Sequence, residues 1–327
     1  MLKTMRKLVL SLLIAQGLLS CVKSSIDNSL VLSNVDVKAL EPYTSYTVPT
    51  KPGFASIVTA GLDTLAVVYE SSSTKSSAQI INVPKAQLEA GEVNVTYSKD
   101  EIYKNISYNR YWNYLLFEDT RSGDADYNDL VMHGRVIQTT NYITRTVLTK
   151  ISLQPVALGG MLNIKVGILY KEASDGPVKE AIIINDVRAE LFNNNQAFPI
   201  NTAFGAKAEK VSGQLIDKFQ ITSTEKDFKT QIAWFIECDG ERMYAITSNF
   251  NLAAKDVVGK DGIPCGISLT RVIDYPVERC HITEAYPNFN SWLKDGKEDT
   301  LFNGKITKNT FPATPPRTVP SLWDWDK

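Results

Sequence analysis

Between residues 117 and 132 the chain reads FEDTRSGDADYNDLVM. Five carboxylates fall within it, Glu118, Asp119, Asp124, Asp126 and Asp129, with Asn128 among them and Arg121 the single cation. Two carboxylates about 5 Å apart repel by roughly 3 kcal/mol at an effective dielectric near 20, so five that converge need a counterion. Asp124, Asp126 and Asn128 stand at alternate positions just after Gly123. Loops of the form D-x-D-x-N wrap oxygen ligands around Ca²⁺, and a glycine permits a tight entry. The donors are all hard oxygens, which disfavours zinc, and Mg²⁺ keeps more of its own water. Ca²⁺ is therefore the cation expected, with Glu118, Asp119, Asp124, Asp126, Asn128 and Asp129 as candidate ligands. An EF-hand is excluded, because its sixth and twelfth positions, counted from Asp124, hold Asp129 and Arg135 instead of Gly and Glu. A second reading stands beside the first: Asp and Asn also form Asx-turns and hydrogen-bond their own loop.

The loop needs rigid neighbours. Leu115, Leu116 and Phe117 precede it and Leu130, Val131 and Met132 follow, as in two buried strands. A cation there would tie the end of one strand to the start of the next. Short β-rich runs separated by turn residues continue on both sides, among them FASIVTAG, DTLAVVYES, SAQIINVP, EVNVTYSK and MLNIKVGILYKE. VKEAIIINDVRAELF also shows alternation, and QIAWFIECDGERMYAIT reads as a hairpin. Helical spacing is confined to ITEAYPNFNSWLKDG, where Ile282, Ala285, Phe289 and Trp292 recur and Pro287 divides the segment into two short turns. The fold predicted is all-β, a jelly-roll-like β-sandwich with short helical turns near the C-terminus.

The chain of 327 residues has a formal charge of −1, which offers no basic footprint for nucleic acid. Lys3, Arg6 and Lys7 precede an apolar run from Leu8 to Leu19, too short to span a bilayer and suited to a signal peptide over 1–20. It ends in Leu18-Leu19-Ser20-Cys21, which resembles a bacterial lipobox; the plainer alternative is a signal peptide with an incidental cysteine. The lipobox implies acylation of Cys21, and each buried CH₂ adds about 0.8 kcal/mol of membrane affinity. Residues 21–50 then read as a tether, 51–310 as the sandwich, and 311–327 as a tail rich in proline and tryptophan, with Trp323 and Trp325. Outer-membrane attachment is expected, with the face left open because no acidic run follows Cys21.

Catalytic signatures are missing. The histidines are His133 and His281, and no H-E-x-x-H, G-x-S-x-G or Walker A pattern occurs. Cys280 and His281 are adjacent, so on a strand they point to opposite faces. Cys265 and Cys280 have two readings, a disulfide across one loop or, with Cys238, small buried apolar residues. Tyr108, Tyr111, Trp112 and Tyr114 offer flat faces on which sugar rings could stack; the alternative is ordinary packing along a strand.

LLFEDTRSGDADYNDLVM resembles the signature of the LruC domain family, found in exported proteins of Bacteroidetes and other bacteria. GIPCGISLTRVIDYPVERCHITEAYPNFNSWL is similar to that family's C-terminal pattern, carried here by Tyr275, Pro276, Glu278, Ile282, Ala285, Tyr286, Phe289 and Trp292. Cys265 stands where the family often has an aromatic residue. The resemblance covers about residues 110–310 and implies a calcium-dependent exported β domain. The expected function is a membrane-anchored, non-catalytic, calcium-binding surface module for adhesion or for glycan or matrix contact. The alternatives are a carbohydrate-active hydrolase, an accessory protein of glycan uptake, or a structural envelope lipoprotein.

Overall fold

The computed structural model describes residues 35–61, 63–71, 79–192, 199–202, 216–223, 231–247, 249–259 and 262–312. The signal segment, Cys21, Trp323 and Trp325 lie outside the described residues. The chain opens with β1 (Tyr43–Val48), β2 (Ala55–Ala60), β3 (Asp63–Tyr69), β4 (Gln79–Pro84), the short helix α1 (Lys85–Glu89) and β5 (Val93–Ser98). Three long strands follow, β6 (Ile106–Phe117), β7 (Leu130–Asn141) and β8 (Thr146–Ala157). Next come β9 (Lys165–Tyr170), β10 (Lys179–Ile184), α2 (Val187–Phe192), β11 (Ile216–Ser223), β12 (Ile232–Cys238), β13 (Glu241–Tyr244) and α3 (Ala254–Val257). The C-terminal part holds β14 (Gly266–Leu269), β15 (Tyr275–Pro276), α4 (Ile282–Ala285), α5 (Phe289–Asp295), α6 (Glu298–Phe302) and β16 (Thr310–Phe311).

The all-β sandwich expected from the sequence is what the chain forms, with sheets of unequal size. The largest runs β11-β8-β7-β6-β3-β2-β5 and the next β10-β9-β12-β13, and two-stranded pairs are formed by β1 with β4 and by β15 with β16. β14 joins the larger sheet beside the second half of β6, pairing Gly266 with Phe117 and Leu269 with Tyr114. The predicted hairpin pairs β12 with β13. Asp239 and Gly240 both take positive φ, as a two-residue type I′ connection requires.

The centre of the large sheet shows why the apolar runs lie where they do. Along β6 burial alternates from Ile106 to Trp112 and is continuous from Asn113 to Phe117. Alternation marks a sheet with one wet face, and a continuous buried run marks a strand covered on both. Leu115 and Phe117 pack with Leu130 and Met132 of β7 and with Val166, Ile168, Trp234 and Ile236 of the small sheet. On the opposite face Leu116 and Val131 pack with Ile267, Ile282, Phe289 and Trp292. The buried end of β6 thus lies between the small sheet and a layer of short helices. A third cluster, with Val58, Leu65, Val68, Ile81 and Val83, joins β1 and β4 to the outer strands of the large sheet.

Two expectations need correction. A tether over the whole of 21–50 does not form, because Val35 and Leu40 are buried and β1 pairs along its length with β4. Gly296, at φ 65°, lies so close to the Ala39 carbonyl that a Cβ would meet its oxygen at 1.9 Å, which pins this segment to the end of α5. The run VKEAIIINDVRAELF is not strand throughout: its second half is α2, with Val187, Leu191 and Phe192 buried. Among the described residues no helix is long and apolar enough to cross a membrane.

Gly134 of β7 is the small residue on which the Trp234 ring rests. A Cβ there would meet Trp234 Cζ2 at 2.6 Å, and Trp234 is itself buried. Gly134→Ala is expected to destabilise the protein by about 1–3 kcal/mol through overpacking. The test is the midpoint of denaturant unfolding at unchanged slope. A loss below about 0.5 kcal/mol would show that Trp234 is free to move aside.

Candidate functional site

The loop from Glu118 to Asp129 closes the β6–β7 pair, whose register runs without a slip from Ile106↔Asn141 to Phe117↔Leu130. It is folded inward. Ala125, Asp126, Tyr127 and Asn128 are all buried. Tyr127 anchors it: its ring packs against Phe289 at 5.6 Å between centroids and its hydroxyl donates to the Pro264 carbonyl. Ala125 and Tyr127 both adopt left-handed backbone, φ 58° and 56°. A bulky residue in that region is an outlier that surrounding contacts must hold in place. The effect of the two alternating kinks is visible in the hydrogen bonds. The N–H groups of Ala125 and Tyr127 both donate to the Glu118 carboxylate, the former over 3.1 Å.

Glu118, Asp124 and Asp126 converge, each with a carboxylate oxygen within 4.8 Å of the other two. Glu118 and Asp126 are buried and Asp124 is exposed. Asp126 Oδ1 accepts from the Asn128 N–H at 3.2 Å and its Oδ2 from the Arg279 N–H at 2.7 Å. Asp119 and Asp129 stand beside this trio as a pair, with the Asp119 N–H donating to Asp129 Oδ2 at 2.8 Å. Asn128 donates through Nδ2 to the Pro276 carbonyl at 3.2 Å, while its buried Oδ1 has no hydrogen-bond partner among the described residues. The six predicted residues therefore form one convergent trio, an adjacent carboxyl pair, and an amide that ties the loop to the C-terminal segment. Arg121 does not neutralise them; it faces Glu241 at 3.6 Å and Asp256 at 3.8 Å. Among the described residues none of the five carboxylates forms an ion pair.

Glycines make room for this arrangement. A Cβ on Gly123 would sit 2.2 Å from Glu118 Oε2, and one on Gly159 would sit 2.2 Å from Asn128 Oδ1. The Gly159 and Gly160 N–H groups donate to the carbonyls of Asn128 and Asp129 at 2.9 and 3.1 Å. Nothing in the linear sequence connects Gly159-Gly160 to the acidic loop. Sequence reasoning also misses Glu278, whose charge bears on Asp126 and which itself feels Asp124 and Asp119. The signal was present in the Tyr275-Pro276-x-Glu278 motif, but nothing in a linear sequence says that it meets the loop. The meeting is extensive: Asn128 to Pro276, Arg279 to Asp126, and the Ile282 N–H to the Ala125 carbonyl at 2.7 Å.

The electrostatics follow from burial. It pushes the Asp126 carboxyl up to about 7, with the Asp124 charge adding to the effect. Burial, then the Asp126 charge, pushes Glu118 up to about 8 against the pull of the Tyr127 N–H. Asp129 is raised by burial and by the charges of Glu118 and Asp119, and Asp119 by burial ahead of its hydrogen bonds. Each carboxylate oxygen can accept more than one contact, so the backbone donors leave Glu118 and Asp126 with acceptor capacity. The donor set is entirely hard oxygen, which fits Ca²⁺. Two oxygens on a shared Ca²⁺ at about 2.4 Å are at most about 4.8 Å apart, and the trio meets that bound.

The aromatic group on β6 is not a stacking platform. Tyr111 points to the face opposite Tyr108, Trp112 and Tyr114, and both Tyr111 and Tyr114 are buried. Trp112 is covered by the Arg135 guanidinium at 5.6 Å from the ring centroid and by His133 edge-on. The three cysteines described, Cys238, Cys265 and Cys280, are buried free thiols, so no disulfide joins Cys265 to Cys280. His281 caps α4, its Nδ1 accepting from the Thr283 N–H at 3.2 Å.

Residues 244–300 match the model of a domain family of unknown function, DUF4842. That stretch contains the loop's C-terminal partners, Pro264, Pro276, Arg279 and Ile282, and excludes the acidic loop itself. A similar solved structure is that of a "Putative lipoprotein" from Bacteroides ovatus, 11% identical over 83% of this chain and 95% of that one, with a TM-score of 0.42. So loose a likeness carries no argument. No curated protein matches the chain.

A carboxyl raised above its unfolded value holds a proton in the folded state that the unfolded chain has released. Its contribution is complete below the unfolded value, near pH 4, and is lost as pH climbs through the folded values of about 7 and 8. In chelator, stability to urea is therefore expected to fall between pH 5 and pH 9, and to fall less steeply in Asp124→Asn. A flat profile would mean that the carboxylates are open to water.

Proposed function

We propose that the Glu118–Asp129 loop binds Ca²⁺ and that the ion makes this β-sandwich a rigid, non-catalytic surface module. The observation that carries the reading is the convergence of Glu118, Asp124 and Asp126, two of them buried, with no cationic side chain among the described residues paired to them. Asp119, Asn128 and Asp129 complete the oxygen-rich surroundings. When bound, the ion supplies two positive charges where several negative ones are gathered. The protein's own part is to hold the carboxylates in place through the N–H groups of Ala125, Tyr127, Asn128 and Arg279. An ion at that point links β6, β7 and the segment that leads into α4.

The wider setting is part of the same proposal. The acidic loop and the C-terminal motif together resemble the LruC domain family, and the DUF4842 match falls on the second of these two parts. The lipobox-like Leu18-Leu19-Ser20-Cys21 supports export and anchoring through an acylated Cys21, at the outer membrane. In this reading the protein is held at the envelope by lipid and presents the sandwich to a ligand or partner.

Calorimetric titration of Ca²⁺ into chelator-treated protein at pH 8 tests the ion. One site is expected, with Kd of about 10⁻⁴ M or tighter and Mg²⁺ weaker. A rise in melting temperature should accompany binding, since a ligand selective for the folded state stabilises it. Asp124→Asn, which alters the exposed ligand and leaves the buried hydrogen bonds intact, should weaken Ca²⁺ at least about tenfold. Full stability in chelator with no heat of binding would return the loop to the Asx-turn reading.

A further inference from the structure

A cleft of about 680 Å³ opens between the N-terminal segment with β1 and the second half of the molecule, bordered by β6, β12 and β14. None of its lining residues belongs to the acidic loop. Its size lies within the roughly 300–1,000 Å³ of small-molecule sites. We propose that this cleft binds a neutral saccharide of one or two rings.

Three features point to that ligand class. The first is the aromatic wall. Tyr43 and Tyr111 form a tilted pair with centroids 5.0 Å apart, and Trp234 lines the cleft with them. These rings are held rigidly. Tyr43 accepts from the Trp112 N–H at 3.0 Å and donates to the Trp112 carbonyl, and Trp234 rests on Gly134. Tyr43 is half-buried and Tyr111 and Trp234 are buried, so the cleft meets only part of each ring, a small and rigid apolar area beside its polar groups.

The second feature is the supply of uncharged hydrogen-bonding groups. Asn82, Asn113 and Asn249 reach the cleft together with Gln231, Thr247 and Ser268. Asn113 is oriented by a 3.2 Å hydrogen bond from Ser268. Side-chain amides both donate and accept, as sugar hydroxyls do.

The third feature is charge. Asp36, Glu41, Lys38 and Lys85 line the cleft in balance, and three of them are engaged within the protein. Glu41 accepts from Thr247 at 2.7 Å, Lys85 donates to the Ala39 carbonyl at 3.1 Å, and Asp36 accepts from the N–H groups of Lys38 and Ala39 at 3.0 Å each. Such a lining has neither a cation cluster for phosphate nor an acidic wall for an amine. A desolvated ion would gain little there, whereas a polyhydroxylated neutral ring matches it.

The inference deepens the reading of the chain as a binding module and is independent of the cation. A glycan array is probed with the full protein in Ca²⁺ and again in chelator, and hits are titrated by calorimetry as free mono- or disaccharides. Neutral glycans are expected to bind at millimolar Kd or tighter. Gln231→Ala and Asn249→Ala, each removing an exposed amide at the rim of the cleft, should each weaken binding at least about threefold. Tyr97→Ala, an exposed aromatic outside the cleft, should leave it unchanged. Binding in both conditions would support the cleft whatever becomes of the ion; binding lost only in chelator would support it and make the ion its scaffold. An array without neutral hits, a preference for acidic sugars, or hits indifferent to both cleft variants would overturn the proposal.

Discussion

Negative charge withdrawn from water is the constraint around which the rest of this molecule is arranged. Two carboxylates at the separations seen among Glu118, Asp124 and Asp126 repel by about 3 kcal/mol at an effective dielectric near 20. A loop left to itself would turn such groups outward. Here it cannot, because Tyr127 is buried in the core and the left-handed residues on either side of Asp126 turn its neighbours' N–H groups toward Glu118. Repulsion is held inside the fold by packing, and either protons or a metal ion must relieve it.

That constraint explains features that otherwise look unrelated. Gly123 and Gly159 lack side chains because carboxylate and amide oxygens occupy the space. Pro276, Arg279 and Ile282, far away in sequence, supply backbone partners to Asn128, Asp126 and Ala125. The short helices beyond them cover the outer face of β6 and β7 with Phe289 and Trp292. Burial of the loop and burial of the helical layer are thus one event, since the same backbone contacts serve both. The cleft is lined by other side chains, and it shares β6 and β14 with this region.

Much of the framework was legible in the sequence. The apolar triplets around the acidic loop announced paired strands, Asp239-Gly240 announced a hairpin, and Pro287 announced the division between α4 and α5. These features are local, so linear reading captures them. What escaped it was long-range or context-dependent. Val187–Phe192 folds as a helix because Val187, Leu191 and Phe192 reach the core from one side, an outcome that short apolar runs do not settle. The approach of Glu278 and the Gly159-Gly160 pair to the loop depends on tertiary placement alone. Tyr108, Tyr111, Trp112 and Tyr114 were grouped by proximity in sequence, although strand alternation separates Tyr111 from the rest; that same alternation delivers Tyr111 to the cleft.

The most direct measurement is a crystal structure of the protein grown with Ca²⁺, with anomalous scattering used to locate the ion. The account predicts one peak bounded by carboxylate oxygens of Glu118, Asp124 and Asp126 at about 2.3–2.6 Å. Absence of a peak there, with the three carboxyls turned apart or joined to one another through shared protons, would contradict it.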